Sequence, residues 1–416
     1  MRPRWLTLLL PSLVLLLPGL AGPALPAALS GTFIVNSTSD VSDGNIGDGL
    51  CETVGGNGIC TLRAAVQEVS ANPNPDTINV PAGTYMLTMV GAGDSQLNDD
   101  LDITGTVTII GAGPNSTIID GNGILTADRV LDVYSGVVTI AGVSIRNGRS
   151  SGPGGGITNR AQATLTLSNT TVMSNTAASG GAFGGGIYNL GRLTLTHSTV
   201  SSNTTGATSP VGAGIAHIGV ELIVIDSTIS GNTTTGLGGG IYSSSSALAL
   251  VNSTLSGNIS TISGGGILEQ GGNTSLYNAT VTDNYADSDT GGGGGGGVAQ
   301  LAGTLNFIDS IIAANYETEP FGGGGVIVVE GDCSGTIVSQ GNNIVYDHDN
   351  GNCTIIGAFT QAYPLFGPLA NNGGPTLTHA LLPGSPGIDA GDAVSCNDWA
   401  GTPLTRAVPH DRLSAA

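Results

Sequence analysis

Gly184-Gly-Gly-Ile187-Tyr-Asn189, then Leu193-Thr-Leu195, then Ser198-Thr-Val200-Ser-Ser-Asn203 is the stretch that decides the fold, because the chain repeats it. Upstream stand Gly-Gly-Gly-Ile157, Leu165-Thr-Leu167 and Thr171-Val172-Met-Ser-Asn175. Downstream the pattern returns around Ile215, Ile241, Ile267 and Val298. Its closing asparagines are Asn175, Asn203, Asn232, Asn258, Asn284 and Asn315, spaced 28, 29, 26, 26 and 31 residues apart by subtraction of those numbers. A period in that range marks a solenoid, in which each repeat covers the apolar face of the next.

Each repeat holds short runs of Leu, Ile, Val and Thr broken by Gly, Asn and Ser, which is strand chemistry with turn punctuation. None contains a helical run, so helical repeat architectures are excluded. The expected fold is all-β: a right-handed parallel β-helix with a short N-terminal capping helix, each strand pairing with its equivalent about 4.8 Å along the axis. Glycine suits crowded coil corners. The Asn column is expected to stack amide on amide, each bonding the next.

The chain has 416 residues and a net charge of −20, with only 10% charged residues. It has no lysine, and no arginine between Arg192 and Arg406. Nucleic-acid binding needs cations on phosphates, so this composition argues against it and against an anionic membrane surface. Residues 1–28 read as a signal peptide: Arg2 and Arg4, an apolar run from Leu6 to Leu20, then small residues. No later apolar run is long enough to span a bilayer, so the expected product is secreted or displayed at the cell surface, as a monomer. Without the leader the balance is 30 acids against 8 bases, or −22.

Residues 31–101 are not repetitive and read as an N-terminal cap. Within them, 61–72 form the one good helical pattern: Leu62, Ala65, Val66 and Val69 lie on one face, and Asn72-Pro73 ends it. Such a helix is expected to plug the open end of the coil. Residues 102–320 are the β-helix repeats, and 321–416 are irregular C-terminal coils. The glycine run 291–297 is expected to leave the coil as a loop. Five cysteines in an exported chain suggest bridges, with Cys51–Cys60 and Cys333–Cys353 as the natural local pairs and Cys396 left over.

Cys51, then Cys60-Thr-Leu-Arg-Ala-Ala-Val-Gln-Glu68, and Asn74-Pro-Asp76-Thr-Ile-Asn-Val80-Pro-Ala-Gly-Thr-Tyr85 resemble the CSLREAI domain of bacterial exported β-helix proteins. Ala64 stands where that motif has Glu. The repeats resemble those of polymorphic outer-membrane proteins. Residues 369–392, with Asp389 and Asp392, resemble the choice-of-anchor region that ends such chains, while Gly401-Thr-Pro-Leu-Thr-Arg406 departs from it. The resemblance implies the β-helix fold and export, and no established reaction.

Three kinds of chemistry are considered. Parallel β-helices include enzymes acting on acidic polysaccharides, an analogy of fold alone. Lyase chemistry would call on Arg160 or Arg192, and hydrolysis on paired carboxylates. Asp226, Asp283 and Asp309 are expected to occupy different places in the coil, as are His197 and His217, so no catalytic residue is assigned. Calcium suits acidic Gly-rich turns, and the candidates for a structural ion are Asp40, Asp43 and Asp48, and Asp283, Asp287 and Asp289, with Asp347-His348-Asp349-Asn350 as a third group. No other cofactor is expected. Asn-x-Ser/Thr sequons at Asn115, Asn169, Asn203, Asn232, Asn252 and Asn258 come with the repeat, and those in the Asn column would be closed to modification. The reading is an exported, non-catalytic β-helix for adhesion or contact with polysaccharide or another cell-surface ligand. The alternatives are a carbohydrate-active lyase or hydrolase, and a structural passenger domain.

Overall fold

The computed structural model describes residues 30–391 apart from 73, 91–98, 179–180, 182, 207–208, 245, 288–293, 322–324 and 349–352. The leader, Asp289, Asp349, Cys396 and the tail from 392 therefore lie outside the described residues. The rest is a parallel β-solenoid with three faces, whose sheets contain 16, 11 and 8 strands. Apart from the hairpin Tyr316–Phe321 with Gly325–Glu330, every pairing in these sheets is parallel and joins one coil to the next.

The coil around Asn203 shows the pattern. Ile187–Asn189 and Arg192–Thr196 lie on the first face, Thr199–Ser201 on the second and Thr204–Thr205 on the third. All three corners use the left-handed backbone. Asn169, His197, Asp226, Asn252, Asn278 and Asp309 turn from first face to second with φ between 46° and 56°. Asn and Asp are the non-glycine residues that tolerate this region best, and five of these six are Asn or Asp.

The Gly-Gly-Gly triplet makes the third corner. Its first member has positive φ, as at Gly184 (65°) and Gly264 (65°). Its last member faces the Asn column: a Cβ on Gly186 would lie 2.8 Å from Asn203 Nδ2, so only glycine fits. The glycine run departs from the expected loop here. Residues 295–297 are the triplet of their coil, with Gly295 at φ 70° and Gly297 against Asn315.

Side chains that point inward pile into continuous columns. Ile157, Ile187, Ile215, Ile241, Ile267 and Val298 form one, and Val172, Val200, Ile229, Leu255, Val281 and Ile312 another, all buried in a single core. Each such side chain contributes about 1.5–3 kcal/mol through burial.

The Asn column is the polar seam of that core. From Asn175 to Asn315, each Nδ2 donates to the Oδ1 of the next asparagine at 2.8–3.0 Å. That Oδ1 also accepts the preceding asparagine's backbone N–H, and the second amide hydrogen goes to a backbone carbonyl of the coil before. The ladder runs donor-first and ends on an acceptor-only group, Asp332, whose Oδ1 takes both Asn315 N and Nδ2 at 2.9 Å. Asn203, Asn232 and Asn258 are fully buried, which closes their sequons.

Coiling begins upstream of the expected repeats and continues in the C-terminal region read as irregular coils. Upstream, Thr32–Ile34 pairs with Asp76–Val80, which pairs with Val107–Gly111. Downstream, Cys333–Ser339 and Cys353–Ile356 continue the first face, and Ile344–Val345 and Thr360–Gln361 the second. These coils lack the glycine triplet but keep the strand register. The helix α1 (Leu62–Ala71) starts at Thr61, whose Oγ1 accepts Ala64 N at 3.0 Å. Its face Leu62, Ala65, Val66 and Val69 joins the core of the first coils. Ala64 is itself fully buried, so it belongs to the packed side of the helix. Both expected disulfides are formed, Cys51–Cys60 and Cys333–Cys353. No described helix is long and apolar enough to cross a membrane.

A C-terminal hairpin, Phe366–Ala370 with Thr378–Leu381, folds back over the second face. Thr228 Oγ1 donates to Leu377 O at 2.6 Å, and Ser256 Oγ meets His379 Nε2 at 2.8 Å. The strands Thr228–Ser230, Thr254–Ser256 and Thr280–Thr282 are consequently buried on both sides, whereas Thr171–Met173 and Thr199–Ser201 are not.

Candidate functional site

Along the first face, strand alternation sends every second residue outward. Four consecutive coils present Arg192, Thr194 and Thr196; Glu221, Ile223 and Ile225; Ala247 and Ala249; and Asn273, Ser275 and Tyr277, each in register with the next. The alanine rung is the shortest, so a shallow groove of about 210 Å³ opens above it. Its lining includes Glu221, Ile223, Ala249, Asn273, Ser275 and Tyr277. Arg192 Nη1 holds Glu221 Oε2 at 2.7 Å on the rim, and Thr304 Oγ1 donates to Asn273 Oδ1 at 2.7 Å. The groove thus offers hydroxyl, amide, one ion pair and one aromatic ring. Glu221 is its single carboxylate, while hydrolysis of a glycoside calls for two.

The second constellation lies between the cap and the first coils. Asp102 pairs in register with Asp132, which pairs with Thr158. Asp132 is fully buried and clamped: Arg160 reaches both its oxygens at 2.8 and 2.6 Å, and Arg129 Nη1 reaches Oδ2 at 2.7 Å. Arg129 also reaches Asp100 Oδ2 at 3.3 Å. The Arg160 guanidinium lies 4.0 Å above the Tyr134 ring. Burial pushes the Asp100 carboxyl up to about 9, Arg129 pulling against that and the neighbouring aspartates adding to it. Acids and arginines therefore converge here, because register across coils brings together residues far apart in sequence. They converge in a buried cluster, with Asp132 saturated by arginine.

The third is a second polar column inside the coil. Asn159, Asn189, His217, Ser243 and Glu269 occupy one position in successive coils, all fully buried. Asn159 Nδ2 donates to Asn189 Oδ1 at 2.6 Å, and Asn189 Nδ2 to His217 Nδ1 at 2.9 Å. His217 Nε2 lies 3.1 Å from Ala247 O. An amide donor on one ring nitrogen and a carbonyl on the other fix a neutral imidazole protonated at Nε2. Burial lowers His217 to about 4 and raises Glu269 to about 7. Thr274 Oγ1 donates to Glu269 Oε2.

The acidic loops singled out in the sequence are placed otherwise. Asp40 is a structural tie: its oxygens accept Arg63 Nε at 2.6 Å and the backbone N–H groups of Thr88 and Met89. Asp43 accepts Asn45 N and Glu52 N, and Asp48 accepts Leu50 N and Asn45 Nδ2. These two hold turns, with a donor on each oxygen. Asp287 accepts Thr318 Oγ1, and Asp283 lies at a corner 3.9 Å from His379 Nε2. Asp226 and Asp309 share one corner column, contrary to the expectation, because both take its left-handed backbone; Asp283 turns the other corner. They stay apart along the axis. His197 is exposed at the corner, 3.4 Å from Asp226, and His217 is inside the coil.

No family model and no curated protein matches this chain. Among solved structures it is similar to one titled "Crystal structure of pectate lyase Pel9A", at 14% identity and a TM-score of 0.41, over 90% of this chain and 96% of that one.

Proposed function

We propose that the chain is an exported, non-catalytic right-handed β-helix of the CSLREAI kind, and that the groove over Ala247 and Ala249 contacts polysaccharide. The observation that carries this reading is the groove's composition: Tyr277 to stack on a sugar ring, Asn273 and Ser275 to bond hydroxyls, and a small-residue floor that lets an extended chain lie flat. The rows repeat at the coil spacing of about 4.8 Å, so one extended chain meets several rungs. The two disulfides fit an oxidising compartment. The non-catalytic part rests on the groove's single carboxylate and on the arginine clamp that occupies Asp132.

The test is retention of the mature protein on immobilised neutral and acidic polysaccharides, with ultraviolet absorbance followed for unsaturated products. Retention without product is expected. Ala249→Phe, which fills the floor, and Tyr277→Ala should each weaken retention by about tenfold, the loss of one stacking contact of 1–2 kcal/mol. Product formation with turnover would replace this reading by a lyase. Equal retention of both variants would remove the groove from it.

A further inference from the structure

The first face carries one residue type in line from coil to coil. Thr32 pairs in register with Thr77, Thr77 with Thr108, Thr108 with Thr139, Thr139 with Thr166, and Thr166 with Thr194. Six successive rungs therefore place a threonine at the same point, about 4.8 Å apart. Thr77, Thr108, Thr139, Thr166 and Thr194 each lie between two buried residues and are themselves half-buried, so they point away from the core. Among the described residues, none of the six hydroxyls has a hydrogen-bond partner. Threonines elsewhere on the coil do: Thr176 and Thr204 bond each other at 2.9 Å on the third face, and Thr228 donates to the hairpin.

Two further observations say what this column faces. Its next rungs are Ile223, Ala249 and Ser275, so it runs without a break into the groove. Charge is also kept off it. The chain has 30 acids, yet Arg192 and Glu221 are the only charged residues in this column and the outward columns flanking it, and they neutralise each other at 2.7 Å. An anionic ligand would meet a strongly acidic chain here with no cation left to receive it. An uncharged ligand meets neither repulsion nor a charge that it must desolvate.

We infer that the groove is one end of a longer binding track, and that its ligand is an uncharged polysaccharide lying along the coil axis with about one pyranose ring per rung. This rests on the contact with polysaccharide proposed above and adds its direction, its extent and the class of sugar. An extended, equatorially linked chain advances by about one coil spacing per ring, which keeps its hydroxyls in step with the column. Each threonine offers a hydroxyl that both donates and accepts, and a methyl to lie against the ring. Every added rung repeats the same weak contact, so affinity grows with chain length. A chain lying across the strands would meet one rung and gain nothing from length.

The test is calorimetric titration of the mature protein with cellotriose and cellohexaose, alongside retention on immobilised glucomannan and polygalacturonate. Cellotriose covers the groove rungs alone, whereas cellohexaose reaches Thr139. Cellohexaose should bind at least about tenfold tighter than cellotriose. Glucomannan should retain the protein, and polygalacturonate should not. Thr139→Val, Thr166→Val and Thr194→Val together remove three hydroxyls and keep side chains suited to a strand. This triple variant should bind cellohexaose no tighter than the parent binds cellotriose. Equal affinity of the parent for the two sugars, an unchanged cellohexaose affinity in the triple variant, or polygalacturonate retained as well as glucomannan would each overturn the track and leave the groove reading standing. Absence of binding to all four probes would overturn both.

Discussion

At the scale of single residues, two buried titratable side chains in one column set opposite pH limits on stability. Glu269 has its pKa raised from 4.5 to about 7 in the fold, so its contribution is full below about pH 4.5 and is lost as pH rises through 7. His217 is lowered from 6.5 to about 4, so its contribution is present above about pH 6.5 and lost as pH falls through 4. Each limb spans roughly 3 kcal/mol at about 1.4 kcal/mol per pKa unit. Asp332, pushed by burial up to about 7 although four N–H donors face its carboxylate, adds to the alkaline limb. Between about pH 4.5 and 6.5 the gain at His217 offsets the loss at Glu269, so Asp332 tips the balance, and urea midpoints measured from pH 4 to 8 should be highest near pH 4 to 4.5 and fall as pH rises. His217→Asn, whose amide can still take a place in the column, should steepen the fall between pH 4.5 and 6.5, and Glu269→Gln should make it shallower. An unchanged slope there in His217→Asn would show that the histidine is not the group titrating. Neither residue was legible in the sequence as a functional or structural group, because the column is Asn, Asn, His, Ser, Glu and never repeats itself.

At the scale of elements, what could be read was whatever each coil states for itself. The Gly triplet, the inward Ile and Leu, the Asn seam, the cap helix and the two local disulfides are each written within one repeat or one short segment. What could not be read depends on pairing between segments. The acid cluster needs Asp102 opposite Asp132, and the sequence does not say which coil the first aspartates join. The hairpin lies on coils 149 residues away, Leu377 on Thr228, through single polar contacts that leave no periodic trace. That hairpin hangs on His379, whose ring is held by Gly367 O at 2.8 Å on one side and Ser256 Oγ at 2.8 Å on the other. His379→Ala removes both bonds and should weaken docking by about 1–3 kcal/mol. Hydrogen exchange reads this locally: amides in Phe366–Ala370 and Thr378–Leu381 should exchange faster by about 5- to 150-fold, while those of the Asn seam keep their protection. Faster exchange along the seam as well would mean that the hairpin supports the coil rather than rests on it.

The whole molecule is a stack in which each coil contacts little beyond its two neighbours, so its stability should be close to a sum over coils and their interfaces. This makes the period itself a testable quantity. Removing residues 176–203 would join Asn175 directly to Thr204, the residue that pairs in register with Thr176. The Asn ladder would close over the gap, because Asn175 would meet Asn232 as Asn203 does now. The inner columns would close too, Ile157 onto Ile215 and Leu165 onto Leu222. In the neighbouring column Asn159 would take the place of Asn189 against His217. A chain with this 28-residue deletion should fold with the strand content of one coil fewer and unfold cooperatively. Removing only residues 190–203 should abolish folding, since Asn189 on the first face would be followed directly by Thr204 on the third, and Glu221–Ile225 and Thr228–Ser230 would lose the strands they pair with. Circular dichroism and thermal unfolding of both chains decide the matter. If the full-coil deletion failed to fold while the parent did, the coils would not be equivalent units, and stability would have to reside in the cap and its cluster of acids.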